Sequence, residues 1–289
     1  MIQAKKVDLT LEELDSFIKI LTERTGIVPR SSHRVGIKSF IEKKINEGEM
    51  STQDYKKALL FDECLFSELV NESTVNETYF FREERQFSLL QNRIFPMWRM
   101  LNGKKEIKIW SAACSSGEEA YSLALLAKSC GINALITASD INSDVLSTCS
   151  EGIFPASSLR QMDGTSFMNL LKPYIRDDGK IEFHSDIRQC IKTVQINLSL
   201  LNSPLCASSL PRMQNIIFIR NVFIYFNLEL RSQILHTIAE KCLADEGVMF
   251  VSMGEIGQLD STIIPPSLEK VVDGNVFYFH KRTGGDVNG

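Results

Sequence analysis

IKIWSAACSSGEEAYSLALL, residues 107–126, is the stretch on which the fold turns. It begins as a short apolar run of strand character and ends with apolar residues at helical spacing. Between the two stand Ala112, Ala113, Ser115, Ser116 and Gly117. A strand, a turn of small residues and a helix let a ligand approach the backbone and meet the free N–H groups of a helix start. The next strand-like run, ALITASD, closes at Asp140, 23 residues after Gly117. In doubly wound folds an acidic side chain at that place accepts hydrogen bonds from ribose hydroxyls. A plain strand-to-helix turn, with an Asp capping the following helix, accounts for the same residues. The turn lacks GxGxxG, so a dinucleotide pyrophosphate has less support than a nucleoside ligand without phosphates, such as S-adenosylmethionine. Glu118 and Glu119 open the helix. Ser115 and Glu118 have capping-box spacing, and acidic residues suit a helix start. Equally, one carboxylate could face the ammonium of a bound amino acid. The spacing leaves both readings open.

Working outward, SDVLSTCSEG, IEFH, KTVQINL, NIIFI, a helix from about Leu228 to Leu243, GVMFVSM and KVVDGNVFYFHK follow in order. Strands alternating with helices predict a parallel sheet covered on both faces. Asp273-Gly274 between two apolar runs predicts a closing hairpin and an antiparallel edge. Residues 281–289 form a loose tail. Toward the N-terminus, residues 1–75 are helical. Leu11, Leu14, Phe17, Ile18 and Leu21 make a helical stripe, Thr10 and Glu13 have capping-box spacing, and Gly26 and Pro29 end the helix. A second helix covers His33 to Glu47 and a third roughly Thr52 to Leu69. The expected organisation is a small all-helical N-terminal domain (1–75), a linker contributing to the ligand site (76–104) and a doubly wound, Rossmann-like α/β domain (105–289).

Composition narrows the function. Apolar residues make up 44% and charged residues 24%, an ordinary globular balance. A formal charge of −4 argues against a general nucleic-acid binder, which needs a basic surface. The longest apolar candidate, IIFIRNVFIYF, is broken by Arg220 and Asn221, and the N-terminus has no signal-peptide core, so a cytoplasmic chain without membrane insertion is expected. The 7 cysteines form no CxxC pair and the 4 histidines are scattered, which speaks against a metal site or a disulfide framework.

Four segments in order carry a resemblance to a known family. WSAACSSGEEAYSLAL is similar to the glycine-loop motif of the CheR-type chemoreceptor methyltransferases, W-S-A-x-C-S-x-G-E-E-x-Y-S. NETYFFRE at 76–83 resembles the family's N-x-T-x-F-F-R. ASDINSDVL at 138–146, followed by GIFP at 152–155, resembles A-x-D-I-x-x-x-V-L…G-I-Y-P, and IRNVFIYF at 219–226 resembles C-R-N-V-x-I-Y-F. The match spans nearly the whole chain.

The resemblance implies an S-adenosylmethionine-dependent methyltransferase acting on glutamate side chains of the cytoplasmic helices of chemoreceptors, releasing S-adenosylhomocysteine. By the same resemblance Asn76, Thr78 and Arg82 sit beside the cofactor, on the linker. Gly117 lies under the adenosyl group and Glu118 holds the methionine amino group. Asp140 binds the ribose, Asn197 and Leu198 flank the adenine, and Arg220 and Asn221 line the pocket. Tyr225 stands near the methyl group. Arg82 and Tyr225 are the expected catalytic pair, orienting the acceptor carboxylate, with Phe80 and Phe81 shielding the site. Arg30, Arg34 and Lys38 lie four apart on one helical face, a candidate docking surface for the receptor. A small antiparallel insertion is expected over 179–196. The sequence departs from the family at SMGE (252–255), where G-H-S-E is common, and at Ala120 and Ile219. Alternatives are a CheR-like module that binds the cofactor without turnover, a methyltransferase with another target, and a nicotinamide oxidoreductase, the last disfavoured by the missing GxGxxG.

Overall fold

The computed structural model describes residues 7–160 and 167–283, so most of the expected tail, 284–289, lies outside the described residues. Four helices come first: α1 (Leu11–Thr25), α2 (Ser31–Glu47), α3 (Thr52–Phe61) and α4 (Glu63–Ser73). The Thr10–Glu13 capping box is formed in both directions, and Gly26, at φ +71°, ends α1 in the left-handed conformation that glycine adopts without strain. The single third helix expected from the sequence is two helices. Asp62 leaves helical conformation and its carboxylate accepts from the N–H groups of Cys64 and Leu65, so it stops α3 and caps α4. Leu14, Phe17, Ile37, Ile41, Tyr55, Leu59 and Leu69 form the core of this region.

The second half of the 76–104 segment is helix rather than open linker. α5 (Glu84–Leu89) runs through a π-helical turn at Leu90–Ile94 into α6 (Phe95–Asn102). Pro96 occupies the first turn of α6. Its missing N–H and bulky ring disturb a regular α ladder, and the wider turn before it absorbs the misfit.

The remaining elements are β1 (Ile107–Ala112), α7 (Glu118–Ser129), β2 (Ala134–Asp140), α8 (Ser143–Glu151), β3 (Ile153–Phe154), α9 (Met168–Leu171), β4 (Ile181–Glu182), α10 (Ser185–Arg188), β5 (Ile191–Gln195), β6 (Gln214–Ile219), α11 (Leu228–Thr237), β7 (Leu243–Phe250), β8 (Leu268–Asp273) and β9 (Val276–Lys281). Seven strands form one sheet in the order β5-β2-β1-β6-β7-β9-β8. The first five are parallel, while β9 runs antiparallel to both β7 and β8. The predicted hairpin is there, with Asp273 opposite Val276 and Gly274 at φ +57°.

Alternate residues of each strand point to opposite faces, and the core divides accordingly. Ile109, Ile216, Phe218 and Phe250 belong to one cluster, with α7 and the aromatic rings of the 80–95 segment. Trp110, Ile217, Ile219, Met249 and Val251 belong to the other, with α11. Both faces of the central strands are therefore covered, as a parallel sheet requires.

The antiparallel insertion is smaller than expected. Ile181–Glu182 pairs with Ile153–Phe154, but Ile191–Gln195 is a parallel edge strand of the main sheet, registered on β2 from Ile136 to Asp140. Its half-buried alternation fits an edge of the large sheet as well as a hairpin, and the sequence alone cannot choose between them. Among the described residues no helix is long and apolar enough to cross a membrane.

Candidate active site

Strand order reverses between β1 and β6, the place where doubly wound sheets open a crevice at the C-terminal ends of their strands. A cleft with about 920 Å³ of empty space, counted out to bulk solvent, opens there. Its walls come from the ends of β1, β2 and β6, the 73–82 segment, and the α1–α2 junction at Thr25 and Ile27.

The turn after β1 is contorted. Ala113, Ser115 and Gly117 all have positive φ, at +58°, +51° and +102°. Two backbone N–H groups hold it open: that of Cys114 donates to Ser139 O and that of Ser115 to the Asp140 side chain at Oδ2, each at 2.8 Å. A Cβ on Gly117 would stand 2.4 Å from Cys149 Sγ, so only glycine fits. Gly117 thus seats the turn against α8, behind the cleft wall, and is not among the residues that line the cleft.

Asp140 does line it. Its Oδ1 accepts from Asn142 N–H at 3.0 Å, and its Oδ2 from Ser115. Burial pushes the carboxyl above its ordinary range, while these N–H donors pull it back. Each oxygen keeps a lone pair for a further donor.

The two glutamates at the start of α7 separate. Glu118 turns away from the cleft; its oxygens accept from Ser158 Oγ at 2.8 Å and Ser116 Oγ at 2.7 Å. Glu119 faces the cleft, accepting from Ser111 Oγ at 2.6 Å and Arg220 Nε at 2.7 Å. Adjacent helical residues point about 100° apart, so only one can look into the crevice. The Ser115–Glu118 capping box does not form: Gly117 is the N-cap, and no side chain caps the helix.

Arg220, 5% exposed, is the hub of the floor. Besides Glu119 it donates from Nη1 to the carbonyl of Arg82 at 2.7 Å and to Gln86 Oε1 at 3.1 Å, with Glu83 at 3.6 Å. Asn221 follows at φ +58°, its N–H donating to Glu255 Oε2 at 2.6 Å and its Nδ2 to Ser252 Oγ at 3.1 Å. Phe81 and Glu83 also have positive φ, so five of the eight non-glycine residues of this kind among the described residues flank the cleft. Such concentrations of strain mark functional sites.

Asn76, Thr78, Arg82, Asn197, Leu198 and Tyr225 line the cleft too. Asn76 accepts Ser115 Oγ at its carbonyl, and Arg82 Nη1 donates to Glu77 O at 2.9 Å. Asn197 donates to Arg24 O at 3.0 Å, tying that side of the cleft to α1. Burial raises the Tyr225 hydroxyl above its ordinary value, opposed chiefly by the Arg30 guanidinium. Phe80 and Phe81 do not reach the cleft; both are buried, and Phe81 stacks on Phe167 at 4.6 Å.

The basic face expected on α2 is largely neutralised within the helices. Arg34 pairs with Asp15, and Lys38 pairs with Asp8 at 2.7 Å and Glu42 at 3.5 Å. Arg30 sits elsewhere, 5.8 Å from the ring centre of Tyr225. Helical spacing picks out the cations but not acidic partners that tertiary packing brings from α1 and the chain before it. Conversely, Glu119, Ser252 and Glu255 organise the site; the sequence showed Glu119 as one of two equivalent glutamates, and Ser252 and Glu255 only as part of the SMGE segment that departs from the family pattern.

These residues suit S-adenosylmethionine. Asp140 has acceptor capacity for a ribose, Ile141, Ile196 and Leu198 offer apolar surface to an adenine, and Glu119 offers a carboxylate to an ammonium. Ala113, Cys114 and Ser115 of the small-residue turn line the cleft, so a ligand can come close to the backbone there.

Comparison with known proteins agrees with the geometry. Residues 76–262 match the family described as CheR methyltransferase, SAM binding domain. Chemotaxis protein methyltransferase 2 of Vibrio cholerae is 33% identical over 242 residues, covering 81% of each chain. A chemotaxis protein methyltransferase of Borreliella burgdorferi is 29% identical over 253 residues, covering 79% of this chain and 82% of its own.

Proposed function

The chain belongs to the CheR methyltransferase family and is an S-adenosylmethionine-dependent methyltransferase, and we propose that its acceptors are glutamate side chains on the cytoplasmic helices of transmembrane chemoreceptors, converted to methyl esters. The observation that carries this reading is the placement of Arg82 and Tyr225 on the same cleft as Asp140 and Glu119. One pocket thus offers a carboxylate-binding cation and a hydroxyl donor beside a nucleoside site.

Bound there, S-adenosylmethionine supplies an electrophilic methyl on a sulfonium. Asp140 would accept from the ribose hydroxyls, Asn197 and Leu198 would flank the adenine, and Asn76, Thr78, Arg220 and Asn221 would complete the walls. Glu119, rather than Glu118, would take the methionine ammonium, because its carboxylate is the one that faces the cleft. An acceptor glutamate with an ordinary pKa near 4.3 is already ionised at neutral pH, so no general base is needed. The chain's task is to orient that carboxylate and keep water out. The Arg82 guanidinium, steadied by its bond to Glu77 O, can take a carboxylate through two parallel N–H donors. Tyr225, kept protonated by burial, adds one directional O–H. Receptors that present such helices to the cytoplasm place the enzyme there as well.

The test is transfer of labelled methyl from S-adenosylmethionine to receptor cytoplasmic fragments. Label released as methanol by mild base, and mapped to glutamates, supports the reading. Base-stable label, or transfer only to unrelated acceptors, contradicts it.

A further inference from the structure

Glu255 is 1% exposed, yet nothing in the proposed chemistry uses it. It lies in the loop after β7, where the sequence departs from the family pattern. Its Oε2 accepts from Asn221 N–H at 2.6 Å and its Oε1 from Ile224 N–H at 3.3 Å. Those amides belong to the turn that ends in Tyr225. Ser252, 2% exposed, works in the other direction: its hydroxyl donates to Glu83 Oε1 at 2.5 Å and accepts from Asn221 Nδ2 at 3.1 Å. Met253 N–H adds a second bond to Glu83, at 3.2 Å, and Gln86 Nε2 donates to Val251 O at 2.8 Å. One four-residue loop therefore grips both the segment bearing Arg82 and the turn bearing Tyr225.

Both gripped segments hold strained backbone. Glu83 stands at φ +60° and Asn221 at φ +58°. Conformations of this kind persist only where surrounding bonds over-determine them. A carboxylate accepting two backbone N–H groups is such a bond set, and burial removes the water that could replace it.

We propose that Glu255 and Ser252 are positioning residues that set the register of Tyr225 against Arg82. Neither touches the cleft; they act through the 221–225 turn and Glu83. The idea rests on the assignment of Arg82 and Tyr225 to acceptor orientation. It separates turnover from cofactor retention: loosening this loop misplaces the acceptor-facing pair, while the Asp140 and Glu119 walls stay in place.

The experiment compares wild type with Glu255→Gln and Ser252→Ala as full-length proteins. Glu255→Gln turns one of two acceptors into a donor facing an N–H. The expected result is a kcat lower by about tenfold or more, with acceptor KM and S-adenosylhomocysteine Kd within about threefold of wild type. Ser252→Ala, the milder change, shows the same split at smaller amplitude. Hydrogen exchange of the 221–225 amides quickens in Glu255→Gln while that of the 110–117 strand and turn does not. An unchanged kcat in folded variants overturns the proposal, as does a kcat loss matched by an equal loss of S-adenosylhomocysteine affinity. Wild type that transfers no methyl to receptor fragments counts against the functional reading instead; in that case the exchange measurement judges the positioning claim by itself, and unaltered exchange at 221–225 refutes it.

Discussion

Arg220 Nε donates to Glu119 Oε2 across 2.7 Å, with both side chains withdrawn from water. This bond joins the end of β6 to the first turn of α7, and the same guanidinium reaches the carbonyl of Arg82. It also lies 5.2 Å from the ring centre of Phe218 and 5.6 Å from that of Phe87. The end of β6, the first turn of α7 and the segment bearing Arg82 are therefore fastened at one point.

Removing that point leaves two carboxylates, Glu119 and Glu83, buried or half-buried without their cation. Arg220→Met is expected to lower stability by about 3–5 kcal/mol, the usual cost of breaking a buried pair from one side. Chemical denaturation measures it. A loss below about 1 kcal/mol shows that the hub is dispensable.

Glu118→Gln and Glu119→Gln should behave differently although the residues are neighbours. If Glu119 takes the methionine ammonium, its substitution weakens S-adenosylhomocysteine binding by about 10- to 100-fold, the range of a lost charge-assisted hydrogen bond. Glu118→Gln, which disturbs only contacts with Ser116 and Ser158, costs much less affinity. Calorimetry on both variants decides, and the reverse ranking returns the role to Glu118.

Asp140 gives the site an acid limit. Its carboxyl titrates above the ordinary value of 3.8 because it is buried. If Asp140 binds the ribose as proposed, protonation removes an acceptor, and affinity for S-adenosylhomocysteine should fall as pH drops through that raised value, starting at higher pH than an ordinary aspartate would allow. Asp140→Asn should bind weakly and lose this acid limb. An acid limb that survives in the variant points to another group.

Gly117→Ala tests the turn. The φ of +102° strains any L side chain, and the new methyl would lie 2.4 Å from Cys149 Sγ. A loss of about 2–4 kcal/mol is expected. Cys149→Ala in the same chain should recover part of it, the clash but not the strain. Thermal melts of the four members of the cycle show whether the two sites couple.

Much of this molecule was legible from its residues, and the illegible parts have physical causes. The strand–turn–helix at 107–126, Asp140 and the Thr10–Glu13 box depend on local spacing, which a sequence displays. The break at Asp62 was hidden because an apolar stripe continues through it; only the side chain's turn back onto Cys64 and Leu65 ends the helix. The choice between Glu118 and Glu119 depends on how α7 is rotated against the sheet. The pairing of Arg34 with Asp15 and Lys38 with Asp8 depends on how α2 packs against the chain before it. Glu255 met Asn221 only once β7 was laid beside β6, and no spacing announces that.

Arg82→Ala bears on acceptor orientation. Turnover should fall by about 100-fold or more, because a displaced acceptor reacts slowly, while S-adenosylhomocysteine affinity falls by no more than about tenfold. Single-turnover methyl transfer alongside calorimetry measures the two. Equal losses in both would make Arg82 a cofactor ligand only.

The position of the bound nucleoside is the most direct test of the cleft's role. A crystal structure with S-adenosylhomocysteine should place the ribose on Asp140, the adenine against Leu198, and the sulfur toward Arg82 and Tyr225. Adenosine bound elsewhere, or a cleft that stays empty at saturating ligand, would contradict it.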